Sequence, residues 1–262
     1  VGDSIQFIGG GNMGAAIVVG LVRAGWDPGT ITVVETSADR RAALHALVPG
    51  VTVIDTPRAC SAGVVAVKPG GALEACRALA GHGAARVLSI AAGIGVEALQ
   101  AAAGGSCAVV RAMPNTPALV GEAVSAITGS TRCALDDLDW AETVLGAVGT
   151  VVRVPERLMD AVTAVSGSGP AYVFLLAEAL VAAGIEQGLD PHDADELVRQ
   201  LLVGAARLLR DSSDGPDVLR ARVTSPNGVT ERAIAAFEAA GFREAVRDAV
   251  TAAVRRSEEL GN

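Results

Sequence analysis

Ser4-Ile5-Gln6-Phe7-Ile8-Gly9-Gly10-Gly11-Asn12-Met13-Gly14 decides how the chain folds. A short β-branched and aromatic run leads into G-x-G-x-x-G, with Gly9, Gly11 and Gly14 in the three glycine places. A helical stretch follows from Ala15 to Ala24. Gly9 permits a tight turn, Gly11 lets the backbone approach a pyrophosphate, and Gly14 lets the helix pack close to the strand. The anion then rests on the free N–H groups at the positive end of the helix. Asn12 and Met13 stand in the same loop. A Gly-rich turn without a ligand is the plainer alternative.

Working outward, apolar runs of strand length recur at Ile31–Glu35, Val51–Ile54, Val64–Val67, Val87–Ile90, Ala108–Ala112 and Val151–Val154. Helix-length segments such as Ala38–Leu47, or Gly/Pro turns, separate them. That alternation predicts βαβ units and a doubly wound parallel sheet of the Rossmann kind. From about Met159 the strand signal stops. Helices are predicted over Pro170–Ile185, Asp193–Leu209, Thr230–Ala240 and Phe242–Leu260, with Gly241 as a stop between the last two. Pro170–Ile185 is apolar almost all round, so it is expected to be buried. The expected organisation is an α/β dinucleotide-binding domain over 1–155 and an all-helical dimerisation and substrate domain over 156–262. The boundary falls near Arg153–Arg157. So much apolar surface on so small a helical half predicts a homodimer through it.

Composition removes other classes. The chain has 262 residues, 50% of them hydrophobic and 19% charged, with a net charge of −8. That is too apolar for disorder. It is also too acidic, and too short of Lys and Arg clusters, for a nucleic-acid partner. No membrane is expected, because the best apolar stretch, Ala171–Ile185, is interrupted by Glu178. The chain opens on Val1 without a basic-then-apolar leader. That lack makes cytoplasmic the expected compartment, and a first residue of Val rather than Met leads to the expectation that a few native residues are missing or replaced. Cys60, Cys76, Cys107 and Cys133 lack metal-ligand spacing, as do His45, His82 and His192, so no metal is expected.

The cofactor signals conflict. Glu35 ends the second strand about twenty residues past the glycines, where a carboxylate reads a ribose 2′-hydroxyl and favours NADH. Thr36, Ser37, Arg40 and Arg41 follow at once and suit the 2′-phosphate of NADPH. Three further turns end strands and are expected to line the same crevice: Val67-Lys68-Pro69, Ala92-Gly93 and Met113-Pro114-Asn115. Lys68 reads as a charge near phosphate. In the helical half, Val165-Ser166-Gly167-Ser168-Gly169-Pro170-Ala171-Tyr172 and Ser225-Pro226-Asn227-Gly228-Val229-Thr230 each open a helix. Such a helix start suits a small carboxylate. Helix capping by Ser166, Ser225 and Thr230 is the alternative.

Taken together, these segments and Arg111-Ala112-Met113-Pro114-Asn115 resemble the pyrroline-5-carboxylate reductase family nearly end to end. The Ser-Gly-Ser-Gly-Pro-Ala-Tyr run and the Ser-Pro loop are its most specific motifs. The resemblance implies reduction of Δ1-pyrroline-5-carboxylate to L-proline by hydride transfer from a nicotinamide cofactor; the hydroxyl and Arg cluster after Glu35 makes NADPH the expected donor, with NADH the alternative. It places Thr230 on the imine nitrogen. It assigns the substrate to Ser225, Pro226, Asn227, Gly228, Val229 and Ser166, and implies interlocked dimers that assemble into decamers. Asn227 and Val229 depart from the family's usual Ser-Pro-Gly-Gly-Thr-Thr. Asn tolerates a left-handed backbone, whereas Val229 lacks the hydroxyl. Two other classes remain. One is a related imine or β-hydroxyacid reductase, although the hydroxyacid kind needs a Lys that Pro170–Ile185 lacks. The other is a non-enzymatic dinucleotide-binding regulator.

Overall fold

Branched side chains crowd into eight strands in the computed structural model, which describes residues 4–261. Val1–Asp3 and Asn262, the outer limits of the two expected domains, lie outside the described residues. The strands are β1 (Ile5–Ile8), β2 (Ile31–Val34), β3 (Thr52–Ile54), β4 (Ala62–Val65), β5 (Arg86–Ser89), β6 (Ala108–Met113), β7 (Ala123–Gly129) and β8 (Gly149–Arg153). They form one sheet in the order β3-β2-β1-β4-β5-β6-β7-β8. The order reverses between β1 and β4, where a doubly wound sheet opens its ligand crevice.

The expectation of a wholly parallel sheet needs one correction. β7, not foreseen from the sequence, runs antiparallel to β6, pairing Arg111 with Thr128 and Met113 with Ala126. Only Pro114–Glu122 joins them. A link so short cannot make the crossover of a dozen or more residues that parallel neighbours require.

Helices cover both faces: α1 (Asn12–Arg23), α2 (Ala38–Leu47), α3 (Ala72–Gly81), α4 (Val96–Ala103) and α5 (Leu135–Gly146). One core joins Ile17, Val18 and Leu21 of α1 with Val144 and Leu145 of α5 against Phe7, Ile31 and Val64. The other joins Cys76 and Leu79 of α3 with Val96 and Leu99 of α4 against Val65, Val87 and Val109. Each fully buried Leu, Ile or Phe contributes about 1.5–3 kcal/mol.

After β8 come α6 (Met159–Val162), α7 (Gly169–Glu186), α8 (Pro191–Asp211), α9 (Pro216–Arg222), α10 (Val229–Ala239) and α11 (Phe242–Gly261). Contacts divide the chain into two units. The first runs up to Ser168 and takes in the chain end from Ala253, and the second is Gly169–Ala252. Residues 156–168 stay with the sheet for identifiable reasons. Glu156 pairs with the buried Arg111 and accepts the N–H of Val96 at 3.1 Å. Asp160 accepts from Ser257 Oγ at 2.6 Å.

In the second unit, Asp190 caps α8 by accepting the N–H of His192 at 2.9 Å, with Pro191 at the first helical position. Gly241 takes φ +76 between α10 and α11, as its place as a helix stop requires. Two expectations about α7 change. It was expected to be buried, yet none of its residues is buried in the single chain: α8 packs against one side of it and leaves much of its apolar surface exposed. No apolar stretch was expected to reach membrane length. The helical path Glu156–Glu186, 31 residues, is nevertheless long and apolar enough to cross a membrane by length and composition. Neither Pro170 nor the lone Glu178 breaks it.

Candidate active site

The glycine loop closes the turn between β1 and α1. Gly9 takes φ +108, and a Cβ there would stand 2.4 Å from Ala66 O, so only glycine fits. A Cβ at Gly14 would stand 2.5 Å from Gly9 O and 3.1 Å from Ala66 Cβ, which is how α1 comes close to the sheet. Gly11 differs. It has an ordinary extended backbone as N-cap, and a Cβ there would meet only Arg40 Nη1, at 3.4 Å. No side chain caps α1, and its first backbone bond runs from Ala15 N–H to Gly11 O at 2.8 Å. The N–H groups of Asn12, Met13 and Gly14 are therefore free of helix partners and face the space beside Gly11. The helix begins three residues earlier than the sequence suggested, inside the glycine motif itself.

At the end of β2, Glu35 holds two backbone groups. Oε2 accepts the N–H of Gly10 at 3.1 Å, and Oε1 accepts the N–H of Ser37 at 2.9 Å. The carboxylate thus braces the glycine loop against the next turn. Ser37 caps α2 by accepting the N–H of Arg40, at 3.4 Å. The two arginines then part. Arg41 folds back to donate to the carbonyls of Glu35 and Thr36, at 2.9 and 2.8 Å. Arg40 points toward Gly11 and has no acidic partner among the described residues. Thr36 is exposed.

Three more turns gather at the same end of the sheet. Val67 packs on the Gly9 position, 3.0 Å from a Cβ there, while Lys68 and Pro69 are exposed and open a short 3-10 turn. Ala92 is exposed, and Gly93 takes φ +75 beside the end of α11, near Leu260 O. Met113 closes β6, Pro114 is buried, and Asn115 is buried with its carboxamide bonded inside the protein, to Ser166 O and Val124 N–H. Ser166 is no helix cap. It lies within a π turn, Thr163–Gly167, and its hydroxyl donates to Val162 O at 3.0 Å.

The Ser225–Thr230 loop belongs to the second unit. Asn227 takes φ 56, the left-handed conformation expected of it. Its N–H donates to Glu231 Oε2 at 2.7 Å, and the N–H of Gly228 donates to Ser225 O at 3.0 Å. These two donors are spent. Gly228 is the N-cap of α10, with no side-chain cap. The free donors are therefore the first-turn N–H groups of Val229, Thr230 and Glu231, since the first helical bond runs from Arg232 N–H to Gly228 O at 3.3 Å. Neither Ser225 nor Thr230 caps the helix, and the Thr230 hydroxyl is exposed without a partner among the described residues.

No cluster of His, Cys, Asp and Glu able to hold a metal occurs among the described residues. All four cysteines are free. Burial pushes the Cys76 thiol up to about 12, with Cys107 beside it adding to the effect, and pushes Cys107 up to about 11. Neither thiol is a nucleophile at neutral pH.

Comparison with known proteins agrees with this architecture. The model for pyrroline-5-carboxylate reductase dimerisation matches residues 156–260. The model for coenzyme F420-dependent NADP oxidoreductases matches residues 4–93. The chain is 42% identical to the pyrroline-5-carboxylate reductase of a Synechocystis species, over 98% of this chain and 99% of that protein. A solved pyrroline-5-carboxylate reductase from Coxiella burnetii superposes with TM-score 0.93 at 36% identity, covering 99% of each chain. The Plasmodium falciparum pyrroline carboxylate reductase, solved with NADP bound, gives TM-score 0.85 at 27% identity, over 100% of this chain and 99% of that one. The chain belongs to the pyrroline-5-carboxylate reductase family.

Proposed function

We propose that this protein reduces Δ1-pyrroline-5-carboxylate to L-proline with NADPH, the closing step of proline biosynthesis. The observation that carries the reading is the Ser225–Thr230 loop. It is an uncapped helix start with an unspent Thr230 hydroxyl, in a chain that matches the reductases end to end. The glycine loop fits a dinucleotide: Gly11 borders open space, and the first-turn N–H groups of α1 have no cap. Asn12, Met13 and Gly14 hold the pyrophosphate through those N–H groups. When bound, NADPH supplies the hydride that the C=N carbon accepts.

NADPH is favoured over NADH by the split between the arginines. Glu35 is engaged by two backbone N–H groups, while Arg40 stands uncommitted beside Gly11, where a 2′-phosphate gains a charge-assisted partner. Thr36 and Ser37 border that corner. Lys68 and Pro69, Ala92 and Gly93, and Met113 and Pro114 line the remaining strand ends. The Val229 and Thr230 N–H groups receive the substrate carboxylate, Ser225 to Gly228 shape the loop around it, and the Thr230 hydroxyl bonds the imine nitrogen. No strong acid is needed when the imine arrives protonated.

A second copy of the chain, rather than a membrane, covers α7, and decamers built from such dimers extend this proposal. Four free thiols fit the reducing cytoplasm. The test is oxidation of NADPH and NADH, side by side, with pyrroline-5-carboxylate. Substrate-dependent turnover, faster with NADPH, is expected. Its absence with both donors overturns the reading.

A further inference from the structure

Asn115 is only 8% exposed and spends both ends of its carboxamide on the protein. Nδ2 donates to Ser166 O at 3.1 Å, and Oδ1 accepts the N–H of Val124 at 3.0 Å. One side chain thus joins the turn after β6, the start of β7 and the π turn. The donor that Ser166 receives has a covalent rationale. In an α-helix the carbonyl of residue 166 is bonded by the N–H of residue 170, and residue 170 is proline, which has none. The chain forms a π turn there, closed by Ser168 N–H on Thr163 O at 2.8 Å, and Asn115 supplies an amide N–H from outside the helix. Packing adds a second lock, since a Cβ on Gly167 would stand 2.6 Å from Met113 Cε. Such turns inside helices are frequent at functional sites.

Its place in the sheet gives this lock a role. The glycine loop sits between β1 and β4; Glu35, just past the end of β2, and Arg40, in the first turn of α2, would on the reductase reading border the adenosine ribose. The nicotinamide half of a bound dinucleotide would therefore extend the other way, toward the ends of β4, β5 and β6, strands about 4.8 Å apart. Asn115 follows the end of β6 by two residues.

We propose that Asn115 is a positioning residue. It holds the Met113–Asn115 turn and the Ser166 π turn together as one wall of the nicotinamide end of the crevice, and so sets the geometry of hydride transfer without itself binding the dinucleotide. This rests on the reductase reading above.

Two variants test it. Asn115→Ala removes both hydrogen bonds. Asn115→Asp keeps the acceptor for Val124 but sets an oxygen against Ser166 O. Steady-state kinetics, NADPH titration by fluorescence and melting temperature are measured on each. A small misplacement of reacting groups is worth up to about a hundredfold in rate. Asn115→Ala should therefore lose about tenfold or more in kcat, with KM and Kd for NADPH within about twofold of the parent. Asn115→Asp should lose more near neutral pH. Relative to the parent it should recover as pH falls, because a protonated carboxyl restores the donor to Ser166. The proposal is overturned by a kcat for Asn115→Ala within twofold of the parent below its melting transition, or by a flat Asn115→Asp to parent ratio against pH. If Asn115→Ala does not fold, the Asn115→Asp profile decides alone. An unmodified protein that binds NADPH without substrate-dependent oxidation overturns the reductase reading instead. The emission of bound NADPH in parent and Asn115→Ala then decides the positioning role by itself: altered emission at equal Kd supports it, and identical emission overturns it.

Discussion

The two units treat apolar residues in opposite ways. In the sheet unit Phe7, Ile17, Leu21 and Leu88 have no exposed surface at all. In the helical unit α7 buries nothing, and Phe174 and Leu175 stand 67% and 65% exposed. Composition does not explain the difference, since both regions are rich in Ala, Val and Leu. Topology does. A sheet with helices on both faces closes its core within one chain. α7 is covered only in part, by α8, and under the dimer proposed above the rest of its apolar surface is shared between chains.

The sharpest way to break that comparison is to place the same charge in each region. Ile17→Asp strands a carboxylate in a closed core and should prevent folding. Phe174→Asp should leave a folded sheet unit that still binds NADPH while the dimer dissociates. Losing one large apolar contact is worth about 2–3 kcal/mol, so a rise of about a hundredfold in dimer Kd is expected by sedimentation. Unfolding of both variants would show that the units do not differ in this way.

Next in size is Gly11→Val. The fold tolerates a side chain there, because its neighbourhood is open, but the pyrophosphate does not. NADPH affinity should fall by about a hundredfold or more while the melting temperature holds, one lost charge-assisted bond alone being worth about 1.5–3 kcal/mol. Thr230→Val should lower kcat/KM roughly ten- to a hundredfold by the same arithmetic. Its melting temperature should not move, because Thr230 makes no cap bond. A fall in stability with normal turnover would restore the capping role.

Arg40→Ala should weaken NADPH about tenfold and NADH hardly at all, since it removes one exposed charge-assisted contact. Arg41→Ala should weaken both cofactors alike, because it loosens the Glu35 turn. Equal behaviour of the two variants would erase the distinction drawn between them. The buried thiols bear on a different property, stability against pH. Cys76 is held neutral up to about 12 when folded, against 9.0 as the ordinary value. Its contribution to stability is therefore present below pH 9 and is lost as pH rises from 9 toward 12. Denaturant melts across that range should show stability declining, and Cys76→Ser should flatten the decline.

Much of the sheet unit was legible because its signals are local. The glycines, the β-branched runs and the helix-length gaps each act over a few residues. β7 was missed because Ala123-Val-Ser-Ala-Ile-Thr-Gly129 is mostly small, and small residues carry little strand preference. The tie between Asn115 and Ser166 spans 51 positions, and no pattern along the chain encodes it. The divergence of Arg40 and Arg41 was equally hidden, since adjacent identical residues differ only in which way the helix turns them. Thr230 and Ser225 were recognised by motif. Which N–H groups remain free there depended on Glu231, an exposed side chain that hydrophobic patterning does not single out.

The chain end carries a consequence for how the molecule is made. α11 starts in the helical unit and finishes in the sheet unit, where Ser257 bonds Asp160 and Gly261 lies beside Gly93. A ribosome releases the strands long before it releases these residues, and domains generally fold in that order. The sheet unit is begun first and completed last. A nascent chain stalled before Ser257 carries all eight strands and the glycine loop, yet leaves the Ala92–Gly93 turn without its cover.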